Sequence, residues 1–360
     1  MTQAAILAAS GSPGTTTGFK NRIINGNMTI AQRGTSFTGI STDGVYTLDR
    51  WQYANNGGGA VSSSQSSTAP AGFINSILTT VTTADGTVSS GSYYQLRQPI
   101  EGLNCSDLGW GTANAKSVAV SFWVNCSVTG TYTFTLRNNG GANSYVTTYS
   151  IPTANTWTYI TVTVPGPTSG TWLTTNGIGI FATWDFGTGS SSVTSSTNTW
   201  ISGNYTGATG ATKLINTSGA TFYFTGVQLE VGTTATNFDF RSYGTELSLC
   251  QRYYEVVVST NQQYLPITNA YYVGGSDMRG IIAFKQTKRA IPTLVVTSGA
   301  DYYTFYRNGS TDNMSNLYLN DPSPYCSQIY NNSEVSGTAG QAGFLYANSN
   351  SAYVAWSAEL

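Results

Sequence analysis

The amino-acid sequence predicts an all-β protein built from sandwiches, and three observations carry that prediction. Only 9% of the 360 residues are charged, against about 25% in an average globular chain. Aromatic residues reach 13%, with 24 Tyr and 8 Trp, and Gly contributes 40 residues. Aromatic and β-branched side chains suit a pleated surface, while Gly and Asn suit tight turns. The third observation is a recurrence of short apolar or alternating runs bounded by Gly, Pro or Asn. They fall at 118–124, 132–136, 157–164, 178–184 and 221–229, then at 255–258, 279–284, 292–297, 302–306, 343–346 and 352–359. In 157–164 the alternation sets Trp157, Tyr159, Thr161 and Thr163 against Ile160, Val162 and Val164. That is the pattern of an antiparallel sheet covered on one side.

Taken in order, residues 1–18 end in Gly-Ser-Pro-Gly-Thr-Thr-Thr-Gly without apolar period and read as an extended arm that a partner must hold. Residues 19–240 read as the first sandwich. Within it Asn25-Gly26 predicts a type I′ turn and Gly34 a second reversal. The Gly/Ser-rich stretches 57–67 and 187–196 read as mobile loops. Residues 241–255 contain the one convincing helix, with Thr245 as cap and Glu246 in the first turn. Leu247, Cys250 and Tyr254 form a stripe along it that either packs on the chain's own sheets or meets copies around an axis. Residues 256–360 read as a second, smaller β-sandwich whose last strand runs to Leu360.

The composition also excludes functions. There is no His and the net charge is -1, so His-dependent nucleophilic catalysis and imidazole zinc sites are ruled out. Lys285, Lys288 and Arg289 are the densest basic group, too sparse for a nucleic-acid surface. Cys105, Cys126, Cys250 and Cys326 are widely spaced and read as free thiols, with a 105–126 bridge as the alternative. No metal or cofactor is expected. Asp43, Asp49, Asp185, Asp312 and Asp321 are dispersed and form no local catalytic signature. Residues 1–12 lack a charged n-region and no window is long and apolar enough to span a membrane, so synthesis in the cytoplasm without membrane insertion is expected.

Three segments carry a family resemblance. The first is Phe19-Lys-Asn-Arg-Ile-Ile-Asn-Gly-Asn-Met-Thr-Ile-Ala-Gln-Arg-Gly-Thr-Ser with Tyr46-Thr-Leu-Asp-Arg-Trp51. The second is Phe224-Thr-Gly-Val-Gln-Leu-Glu-Val-Gly232 with Thr236-Asn-Phe-Asp-Phe-Arg-Ser-Tyr243, and the third is the helix 246–255. Together they resemble bacteriophage tail-fibre and appendage proteins with a jelly-roll domain like that of carbohydrate-binding modules. The resemblance implies a virion structural protein, assembled in the host cytoplasm and exposed on the particle. It implies docking to other virion proteins through residues 2–18 and a homotrimer with Leu247, Cys250 and Tyr254 on its axis. A head fibre or capsid decoration with a purely structural role is the alternative, and a depolymerase that cuts host glycan with two carboxylates is the second. Jelly-roll modules of this kind often hold a structural calcium, for which no ligand set is assigned.

Two sets of residues follow. Asp49 and Arg50, beside Trp51, are expected to form an ion pair with Glu230 that ties the first and last strands of the jelly roll. Host glycan is expected to bind the C-terminal domain, where flat rings that stack on pyranoses and amides that bond hydroxyls are densest. The candidates are Tyr271, Tyr272, Tyr302, Tyr303, Tyr306, Tyr325 and Tyr330, with Asn308.

Overall fold

The computed structural model describes residues 20–360, so the expected docking arm lies outside the described residues. The chain divides into two compact units. Described residues 20–29, 35–47 and 51–241 form the first, and residues 30–34, 48–50 and 242–360 form the second. The second unit therefore includes two short N-terminal segments from within the range 19–240 expected to form the jelly roll.

The first unit is an antiparallel jelly-roll sandwich. One sheet has six strands in the order Ser36–Ile40, Ala60–Ser66, Ser76–Thr83, Thr221–Val231, Val118–Cys126 and Thr158–Val164. The facing sheet has seven, ordered Trp200–Ser202, Asn143–Ile151, Gly130–Arg137, Ile178–Thr188, Tyr93–Glu101, Gln52–Asn55 and Val45–Tyr46. Strands distant in sequence are neighbours in both sheets, as the crossing connections of a jelly roll require. The alternation read from 157–164 is present, with Ile160, Val162 and Val164 inward and Tyr159, Thr161 and Thr163 exposed. Between the sheets Trp184 is fully buried, and the rings of Trp51, Phe122, Phe134 and Phe224 surround it at centroid distances of 4.7 to 5.6 Å. Tilted and edge-on aromatic pairs of this kind contribute roughly 0.5–1.5 kcal/mol each beyond area burial.

Two local expectations are corrected here. The Ser-rich stretch after Gly57 is a strand, Ala60–Ser66, hydrogen-bonded on both sides. Its buried side chains, Val61 and Ser63, are small and alternate with less buried ones. A strand paired along both edges needs few large side chains of its own, so composition alone reads it as loop. At Asn25-Gly26 only Asn25 has a left-handed backbone, at φ 58, whereas a type I′ turn needs both residues there. The glycine is required for a close approach instead: a Cβ on Gly26 would lie 2.2 Å from the carbonyl oxygen of Val227.

The second unit is a smaller sandwich. Its three-stranded sheet is ordered Tyr254–Val258, Val354–Ser357 and Thr293–Val296. Its seven-stranded sheet runs Ser310–Met314, Tyr303–Arg307, Ala342–Ala347, Pro266–Gly274, Asp277–Ala283, Cys326–Asn331 and Tyr318–Asn320. Met278, Phe305, Ile329, Leu345, Val354 and Trp356 are among the buried residues of its core. The helix spans Tyr243–Gln251 and is capped by Ser242, whose hydroxyl accepts from the Thr245 N–H, so the cap lies three residues before the expected Thr245. All four cysteines are free. Among the described residues no helix is long and apolar enough to cross a membrane, and no group of three or more Cys, Asp or Glu is placed to hold a metal ion.

Candidate functional site

In strands such as Pro266–Gly274 and Asp277–Ala283 buried and more exposed side chains alternate, so one face of the seven-stranded sheet covers the core and the other turns away from it. In Pro266–Gly274, Ala270 and Tyr272 point inward, while Asn269, Tyr271 and Val273 are exposed. The register then decides which outward side chains become neighbours. Tyr306 pairs with Phe344 and Thr304 with Tyr346 across one ladder, and Pro266 pairs with Tyr346 across the next. Tyr264, just before that strand, completes the row. The rings follow one another at 5.3 Å for Tyr306 and Phe344, 5.7 Å for Phe344 and Tyr346, and 6.1 Å for Tyr346 and Tyr264. Tyr264 is 66% exposed and Tyr306 and Phe344 about 40%. The four rings line a recess of about 250 Å³.

The same face carries a second row toward the far edge. Tyr271 lies opposite Arg279, Arg279 opposite Tyr330, and Tyr330 opposite Tyr318. The Tyr318 and Tyr330 rings are 5.5 Å apart. Arg279 is held by the Asp277 carboxylate at 2.7 Å, which raises its pKa further above the ordinary guanidinium value. The face as a whole offers flat rings with Asn269 and Asn313 nearby in register, an arrangement that can stack on sugar rings and bond hydroxyls.

The structure sorts the candidates named from sequence. Tyr271, Tyr306 and Tyr330 lie on the outer face, and Tyr325 is exposed in a loop at 68%. Tyr272 and Tyr303 are core residues and leave the set. Tyr272 meets Phe305 edge to face and its hydroxyl bonds Asp312, with burial raising its pKa; Tyr303 donates to the Thr297 carbonyl at 2.7 Å. Consecutive residues of a strand face opposite ways, so of the pairs Tyr271-Tyr272 and Tyr302-Tyr303 only one member of each can point outward. Tyr302 is half-buried against the core. Asn308 is exposed, but its backbone is spent on a type I′ hairpin with Gly309, at φ 41 and 76. Sequence reasoning missed Tyr264, Phe344 and Tyr346. The signal for two of them was present, since Gly343-Phe-Leu-Tyr346 alternates and places Phe344 and Tyr346 on one face.

The helix seam is also corrected. Cys250 is fully buried and Tyr254 is 4% exposed, and Tyr254 belongs to the strand that follows the helix, with its hydroxyl 2.8 Å from that of Tyr353. Only Leu247 is partly accessible, so the stripe packs inside its own unit. The expected partner of Arg50 is replaced as well. Arg50, 1% exposed, pairs with Glu359, which also takes Arg33 at 3.0 Å. The guanidiniums of Arg33 and Arg50 stack on Tyr254 and Tyr253. Asp49 accepts from the Gln32 N–H at 2.7 Å, and burial raises its pKa above the usual carboxylate value. Glu230 instead accepts from Thr236 at 2.8 Å and lies 3.6 Å from Lys20.

No protein-family model and no curated protein matches the chain. Among solved structures it is similar to the enzymatically active domain of tailspike protein 4 from bacteriophage CBA120, at 12% identity and TM-score 0.31, covering 59% of this chain and 21% of that one. It is similar to a CBM4 structure at 16% identity and TM-score 0.34, covering 58% and 98% of the two chains. It is also similar to TmCBM61 in complex with β-1,4-galactotriose, at 10% identity and TM-score 0.30, covering 59% and 100%.

Proposed function

We propose that the protein is a non-catalytic, glycan-binding appendage of a phage particle, and that saccharide binds the outer face of the second unit's seven-stranded sheet. The observation that carries the reading is the unbroken row Tyr264, Tyr346, Phe344 and Tyr306, in which Tyr306, Phe344 and Tyr346 stand on sheet strands and Tyr264 on the turn before the strand, with Tyr346 partly exposed and the other three exposed. Aromatic side chains of this size are ordinarily buried or half-buried, so a contiguous exposed row points to a partner. The recess is lined by rings alone, which suits binding better than hydrolysis, since glycoside cleavage requires a pair of carboxylates flanking the bond. The phage setting, the three-fold assembly and docking through residues 2–18 rest on the resemblance of the segments at 19–51, 224–243 and 246–255.

Binding of the full chain to host envelope polysaccharide, compared with a Tyr306→Ala/Phe344→Ala variant, tests the reading. Loss of two stacking rings at roughly 0.5–1.5 kcal/mol each corresponds to about a five- to hundredfold weaker affinity. Equal affinity of both proteins refutes the site. Released oligosaccharide refutes the non-catalytic reading. A fall in oligomer mass in the variant, without any glycan binding by the wild type, identifies the row as a contact between copies in a purely structural appendage.

A further inference from the structure

The first unit carries a separate groove on the outer face of its six-stranded sheet, with a volume of about 550 Å³. That size falls in the usual range of small-ligand sites. Because Phe122 and Val124 point into the core, Ser121 and Trp123 of the same strand must point outward. Trp123 lies opposite Tyr159 on the neighbouring strand, and their rings are 5.0 Å apart with 41° between planes. Tyr159 is 43% exposed. Across the groove Phe73, Phe238 and Phe240 form a mutual cluster at 4.8 to 5.3 Å, and Phe240 is 58% exposed.

Two features distinguish this surface from a flat apolar patch. The strand Thr221–Val231 bulges between Thr225 and Gln228, with Gly226 left-handed at φ 64. A Cβ there would lie 2.7 Å from the Phe73 ring and 3.0 Å from the Trp123 ring, so only glycine keeps the two aromatic walls at this separation. The second feature is Ser121. It lines the groove and is 3% exposed, yet its hydroxyl makes no hydrogen bond within the described chain. The Ser121 Oγ atom is not among the fully buried unpartnered atoms, so it is open to the groove and can bond a ligand hydroxyl. The exposed Asn237 at the rim adds an amide, and no charged side chain lines the groove.

We infer that this groove is a second saccharide site, distinct from the face of the second unit, and that it takes an uncharged glycan. Trp123 and Tyr159 supply the stacking faces, Ser121 and Asn237 bond hydroxyls, and the phenylalanine cluster closes the opposite wall. The inference shares with the proposed function only the class of ligand, and the two fail independently.

The test uses the full chain labelled with 5-fluorotryptophan and followed by fluorine NMR, with the Trp123 resonance assigned through Trp123→Phe. The probes are neutral hexasaccharides of glucose, galactose, xylose, mannose and N-acetylglucosamine. The expected result is a saturable shift of the Trp123 resonance with at least one of them, weakened about tenfold or more by Tyr159→Ala and about threefold by Ser121→Ala. Tyr159 is exposed and Ser121→Ala removes only an unpaired hydroxyl, so both variants keep the fold. The Tyr306→Ala/Phe344→Ala variant is expected to leave that shift unchanged. A Trp123 resonance that is indifferent to every probe at millimolar concentration overturns the inference. So does one that moves with protein concentration alone, which assigns the groove to a second copy of the chain. Loss of all binding in the Tyr306→Ala/Phe344→Ala variant, with Trp123 silent throughout, leaves the proposed function standing and removes the second site.

Discussion

Replacing Asp185 by Asn should stabilise the first unit above neutral pH and reduce the pH dependence of its stability. Asp185 ends the inner stretch of strand Ile178–Thr188 and is 3% exposed beside a cavity of about 180 Å³. One carboxylate oxygen accepts from the Gly187 N–H at 2.9 Å and the Thr188 hydroxyl at 2.8 Å. Burial outweighs these bonds and the attraction of Lys213, and pushes the pKa from 3.8 up to about 7. The folded state thus holds this proton more tightly than the unfolded chain does, so the group costs stability as pH rises from about 4 to about 7, and the cost is complete above that. Linkage puts the cost at about 2 kcal/mol at pH 5 and about 4 kcal/mol at pH 8. An Asn keeps the accepting oxygen and does not ionise. Urea unfolding at pH 5 and pH 8, followed by Trp fluorescence, reports the effect, because seven of the eight Trp lie in the first unit. Wild type should lose about 2–3 kcal/mol more than Asp185→Asn between the two pH values, the contributions of the other carboxylates cancelling in the difference. Superimposable pH dependences would refute the argument that burial dominates at this carboxylate.

Other substitutions probe the remaining parts. Glu359→Gln removes the carboxylate shared by Arg33 and Arg50 and should destabilise the second unit by about 3–5 kcal/mol, as breaking a buried ion pair does; circular dichroism of thermal unfolding measures it. Phe224→Ala, which opens a void against Trp184 at 4.7 Å, should cost the first unit roughly 3–5 kcal/mol in urea unfolding. In native protein a thiol reagent at pH 8 should modify Cys326 and spare the three buried cysteines, with four modified after denaturation. Burial raises the pKa of all three buried thiols, that of Cys105 to about 12.

Much of the fold was legible because strand character and sidedness are local. The alternation in 157–164 specifies which side chains face the core whatever the strand pairs with, and it is observed. The same alternation bears on the candidate site. Density of Tyr and Asn points to a domain, whereas alternation excludes the inward Tyr272 and Tyr303 and puts Phe344 and Tyr346 on the outer face. Ser-rich strand Ala60–Ser66 was illegible for a different reason: its strand state comes from neighbours on both sides and not from its own side chains.

By itself the sequence determined that the chain is all-β, that its chemistry excludes His and basic surfaces, and that aromatic residues exceed what turns and charges need. Only the tertiary structure decided which partners those residues meet. Arg50 finds Glu359, 309 positions away, and not Glu230. Tyr306 gains Phe344 through strand register, and Trp123 and Phe73 are held apart by one left-handed glycine. The division has one physical cause. Periodicity, turn chemistry and charge count are properties of a few consecutive residues, whereas register, burial and ion pairing are set by which distant segment covers them.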